Sequence, residues 1–154
     1  PGVPGPEPVA YDEPTDPRCR RPDVRVALRD LESAPGRRYA EVVLTNAGGQ
    51  ACTVQGYGGL QLLDADRNPV PTRLVRLESP APRAVRIEPG DAAVSRISFS
   101  VVATDRDRRR GTCQPEASFA LVTAPDERRS TRVPWNLGPV CDRGRIEQTA
   151  YAAD

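Results

Sequence analysis

The chain has 154 residues, of which 38% are hydrophobic, 5% aromatic and 28% charged; 22 basic residues face 21 acidic ones, for a net charge of +1. A balance that close supplies no bulk attraction to nucleic acid or to an anionic membrane. No apolar run approaches the ~20 residues that a membrane-crossing helix needs, and the length suits one domain with a linker.

The first segment, Pro1 to Arg18, holds six prolines and two glycines. Proline fixes φ and donates no backbone hydrogen bond, so residues 1–18 are expected to be an extended tether in front of a domain spanning 19–154. From Cys19 onward the apolar period is two, the signature of half-buried strands. Val24, Val26 and Leu28 alternate with polar or small residues, as do Ala40, Val42 and Leu44 before the turn Asn46-Ala47-Gly48-Gly49. Leu60 and Leu62 lead into Asp64-Ala65-Asp66-Arg67-Asn68-Pro69, and Val70 resumes beyond it, which predicts a hairpin. Val85 and Ile87 end at Glu88-Pro89-Gly90-Asp91; Ile97, Phe99 and Val101 follow. Phe119 and Leu121, then Val133 and Trp135, then Ile146 to Tyr151 complete the series. About seven to nine short strands separated by turn residues predict an all-β, immunoglobulin-like antiparallel β-sandwich, with a closed barrel as the alternative.

The four cysteines are Cys19, Cys52, Cys113 and Cys141. They form no Cys-x-x-Cys pair and the chain has no His, so the common zinc arrangements lack their ligands. An even count without metal spacing points to two disulfides and an oxidising compartment. Three pairings are open on sequence alone. All basic residues are Arg; Met is absent along with Lys and His, so Pro1 is not a translation start and a removed export signal is expected upstream.

The order Cys19, Tyr39, Val42-Val43-Leu44-Thr45-Asn46, then Cys52-Thr53-Val54-Gln55-Gly56-Tyr57-Gly58-Gly59-Leu60-Gln61-Leu62-Leu63-Asp64 is similar to an uncharacterised four-cysteine domain of actinobacterial secreted proteins and lipoproteins. Ile87-Glu88-Pro89-Gly90-Asp91-Ala92-Ala93, Cys113-Gln114-Pro115 and the closing Cys141 extend the likeness. The resemblance implies an extracytoplasmic sandwich, secreted or anchored at the cell envelope, with bridges Cys19–Cys52 and Cys113–Cys141. It also implies a lipid anchor upstream of a low-complexity spacer. The family usually has Pro where this chain has Gly58.

The catalytic inventory is poor. Without His the usual general base near neutral pH is missing, and without Lys so is the Ser–Lys dyad. Only a pair of Asp or Glu residues could run a hydrolase, and no motif singles one out. Asp64, Asp66 and Asn68 copy the start of a calcium loop, but Pro69 and Val75 stand where the loop needs Gly and a bidentate Glu. No cofactor and no metal are expected. Two stretches remain as candidate interaction sites. Arg106, Arg108, Arg109 and Arg110 could grip phosphate or carboxylate through their planar forks, against a reading as a solvated loop. Tyr57, in Gly56-Tyr57-Gly58-Gly59, could anchor a partner, against a reading as cover for one end of the sandwich. Trp135 has the same two readings, with core packing the stronger. The sequence therefore predicts a non-enzymatic envelope module that binds an unknown protein or polysaccharide, and no nucleic acid. The alternatives are a structural spacer in a lipoprotein and, last, a carboxylate hydrolase.

Overall fold

The structure, a computed structural model, describes residues 16–154, so most of the expected tether lies outside the described residues. The strands are β1 (Val24–Asp30), β2 (Arg37–Asn46), β3 (Cys52–Val54), β4 (Gly59–Leu63), β5 (Arg73–Arg76), β6 (Val85–Ile87), β7 (Ala92–Ser100), β8 (Phe119–Thr123), β9 (Thr131–Pro134), β10 (Arg145–Gln148) and β11 (Ala152–Ala153). The chain is all-β. Its largest sheet has the order β1-β2-β7-β10-β5, and β11 pairs with β7 as well. A three-stranded sheet runs β4-β8-β9, and β3 and β6 form a ribbon. Every ladder is antiparallel except that between β5 and β10.

The period-two pattern explains which residues meet in the core. Leu44, Ile97, Phe99 and Ile146 from the large sheet and Leu62, Val122 and Val133 from the small one are all buried. Each large side chain so buried contributes roughly 1.5–3 kcal/mol relative to exposure. Trp135 is buried too, with its ring centroid 5.5 Å from that of Phe99. Its indole Nε1 donates to Gly138 O at 2.8 Å, so the polar end of the ring is satisfied within its own turn.

Three differences from the sequence pattern have simple causes. β3, β5 and β11 are only two to four residues long, and they are ordered by backbone pairing rather than by an apolar alternation. The strand at Ile97 and Phe99 stops at Ser100, whose hydroxyl bonds the backbone of Val102; Val101 and Val102 are left 39% and 58% exposed. The expected final strand divides at Thr149, which bonds Arg96 through both its N–H and its hydroxyl and displaces the ladder.

Both bridges are formed, Cys19–Cys52 and Cys113–Cys141, with sequence separations of 33 and 28. Constraining loops of that size stabilises by roughly 3–4 kcal/mol each in the chain-entropy model. Such bonds fit an oxidising environment. No helix among the described residues is long and apolar enough to cross a membrane.

Candidate functional site

Tyr57 lies in a loop that the sequence makes both tight and fixed. Gly56 has φ +98°, and a Cβ built on Gly58 would stand 2.4 Å from Thr123 O, so the loop passes closer to β8 than any side chain allows. One backbone and one side-chain donor hold it from the other side. Tyr151 N–H donates to Gly56 O at 2.9 Å, and Gln148 Nε2 donates to Gly58 O at 3.2 Å. The Tyr57 hydroxyl donates to Leu77 O just beyond β5. The Arg76 guanidinium sits 4.9 Å over the phenol ring, a cation–π contact. Tyr57 is half-buried and forms one wall of an open cleft of about 500 Å³ between the ends of the two sheets. Leu74, Arg76, Thr123, Glu127 and Gln148 line the rest. The cleft thus offers an aromatic edge, a guanidinium, an amide and a carboxylate on strands or short loops.

The arginine run lies at the opposite end of β10. Arg106 points a guanidinium nitrogen at Asp142, 3.9 Å away. Arg108 bonds Thr112 twice, at 2.8 Å each, and so closes its own loop. Arg109 and Arg110 are exposed and make no ion pair among the described residues. The residue that organises this end is Asp107. Its carboxylate accepts from Thr104 N–H at 2.7 Å and from Asp142 N–H and Arg143 N–H at 2.8 Å each. Burial works against its charge, but these backbone donors outweigh it and hold the carboxyl below its ordinary value. Asp142 and Arg143 have φ of 55° and 56° in the turn Cys141–Gly144, a left-handed path that the Asp107 bonds and the adjacent disulfide maintain.

Tyr57 and the arginine loop are therefore separate features and form no common site. The Asp64 carboxylate accepts from Asp66 N–H at 2.9 Å and Asn68 N–H at 2.8 Å, which caps the hairpin in the manner of an Asx turn. Among the carboxyls with shifted acidity, Asp30, Asp107, Glu127 and Glu147 all move downward. For Glu147 the leading cause is a bond from Arg145, with Arg37 assisting at 2.7 Å. A general acid needs a shift the other way.

Residues 19–152 match a family model described as "Domain of unknown function (DUF4232)". No curated protein and no solved structure matches the chain.

Proposed function

The chain belongs to the DUF4232 family, and from that premise we propose that it is a non-enzymatic, extracytoplasmic interaction module of the cell envelope with an immunoglobulin-like sandwich as its scaffold. The observation that supports the reading is the Tyr57 cleft. A partly buried tyrosine with its hydroxyl fixed to Leu77 and a guanidinium stacked on its ring presents a rigid amphipathic edge. Such edges anchor interfaces because little side-chain freedom is lost on binding. The mixed lining of Arg76, Thr123, Glu127 and Gln148 suits a polar partner, a protein loop or a glycan, held by hydrogen bonds across the sheet ends. The two disulfides make the module durable in an oxidising envelope, secreted or anchored.

The test is affinity capture with the oxidised domain immobilised and solubilised envelope of the source organism applied. Thr123→Arg, which fills the cleft, is the control. A partner held by the native chain and lost by a Thr123→Arg chain of unchanged Tm supports the module. Capture of nothing, or capture indifferent to Thr123→Arg, assigns the chain to the structural spacer instead.

A further inference from the structure

We propose that the end of the molecule around the Cys19–Cys52 bridge is a docking face for the phosphate headgroups of an anionic lipid bilayer. Two arginine-rich segments distant in sequence meet there. Arg18-Cys19-Arg20-Arg21 lies against Asp126-Glu127-Arg128-Arg129. Arg21 N–H donates to Glu127 Oε2 at 3.0 Å across 106 residues, Arg21 Nη1 to Ser130 O at 2.9 Å, and Arg129 Nη2 to Arg21 O at 3.2 Å. Arg18 pairs with Asp126 at 2.9 Å.

The bookkeeping of charge favours an anionic partner. Asp126 is taken by Arg18, and Glu127 accepts backbone N–H groups from Arg21 and Arg128. Arg20, Arg21, Arg128 and Arg129 are exposed and have no carboxylate within ion-pair distance among the described residues. One acid of these loops, Asp23, likewise makes no ion pair among the described residues. Arg20 and Arg128 have no side-chain partner among the described residues, and the Arg21 and Arg129 guanidiniums bond only backbone carbonyls there, so four guanidiniums without an ion pair share one end of a molecule whose net charge is only +1. Guanidinium forks bind phosphate oxygens bidentately.

The arrangement fits a surface of many phosphates. The four cations lie on two cross-bonded loops, beside a hollow of about 280 Å³ lined in part by Arg20, Arg21, Asp23, Asn46 and Gln50. Neither segment carries an aromatic residue for base stacking. Thr53 N–H donates to Pro17 O at 2.9 Å and Cys19 N–H to Thr53 O at 3.0 Å, so the incoming chain is fastened beside this face. Close to an anionic bilayer each such basic residue adds to binding.

The experiment is co-sedimentation of the oxidised 154-residue chain with vesicles of phosphatidylcholine containing about 30 mol% phosphatidylglycerol. The variant is Arg20→Glu with Arg128→Glu, because neither side chain makes a hydrogen bond or ion pair among the described residues; its Tm should equal the native one. The native chain should bind at low salt and release as salt rises, and the double variant should bind at least about tenfold more weakly. Arg109→Glu with Arg110→Glu at the far end, and Tyr57→Ala in the cleft, should each bind within about twofold of native. Three results would overturn the proposal. They are no binding to these vesicles at low salt, equal binding to pure phosphatidylcholine, or an equal loss from the Arg109/Arg110 variant. Tighter binding to soluble polyphosphate at matched phosphate concentration would also overturn it, in favour of a polymer. Glu127 borders both the cleft and this face, so the two are told apart by Arg20→Glu with Arg128→Glu, whose residues do not line the cleft: that variant should lose the vesicles and keep the partner captured by the cleft.

Discussion

The Tyr57 loop and the arginine loop stand at opposite ends of β10 and are held by different means. The Tyr57 loop is tied down by bonds onto its carbonyls, Tyr151 N–H to Gly56 O and the Gln148 side-chain amide to Gly58 O, and by a glycine with no room for a methyl group. The arginine loop, between β7 and β8, contributes no strand and is tied to the turn Cys141–Gly144 chiefly by one carboxylate and one disulfide. The first design spreads the restraint over many weak bonds. The second concentrates it in two groups, so a single substitution can release the whole segment.

That contrast can be broken from either side. The largest effect is expected at Gly144, under the arginine end. It has φ +82°, and an added Cβ would fall 1.9 Å from Pro71 O. Gly144→Ala should therefore cost about 4 kcal/mol or more and give little folded protein, as read by yield and by thermal melting. Next comes removal of the second bridge. Cys113→Ala with Cys141→Ala should lower stability by about 3 kcal/mol. The two bridges close loops of similar length, so Cys19→Ala with Cys52→Ala should cost about as much. The difference should lie in hydrogen exchange. Loss of the second bridge should strip protection from residues 104–113, whereas the amides of residues 19 and 53 should stay protected by their backbone bonds to Thr53 O and Pro17 O when the first is lost.

Asp107→Asn should cost about 1–3 kcal/mol, because an amide cannot accept from every donor that the carboxylate serves. The sign with pH follows from its lowered pKa. The stabilisation is complete above the unfolded carboxyl range and is lost as the proton returns, so denaturation midpoints of the native chain should fall below about pH 4. In Asp107→Asn that acid-side fall should be shallower. The smallest effect belongs to the other end. Tyr57→Phe removes one hydrogen bond to Leu77 O and should cost about 1 kcal/mol in urea unfolding.

The sequence pattern made the long strands legible because their side chains alternate between core and solvent. β2 and β7 are read directly from Ala40, Val42 and Leu44 and from Ile97 and Phe99. β3 and β11 are two or three residues each, too short for any period, and β5 is specified by its neighbour β10. Tyr57 could be singled out by its glycine setting, but Leu77 O and Arg76 reach it only through the fold. In the run Asp105 to Arg110 the arginines draw attention, yet the residue with the most bonds is Asp107, because backbone donors at Asp142 and Arg143 leave no trace in composition. The meeting of Arg20 and Arg21 with Arg128 and Arg129 was hidden for the same reason: long-range proximity carries no local signal.

The parallel pairing of β5 with β10 sets an order of assembly. Residues 73–76 find their neighbour only at 145–148, far along the sequence. During synthesis β1, β2 and β7 can pair as they emerge, while β5 waits as an unpaired edge until residues 145–148 are made. Late closure of that kind slows folding. It also makes residues 141–153 a checkpoint: a chain stopped at residue 140 loses β10, β11 and Cys141 together and leaves both β5 and Cys113 without a mate.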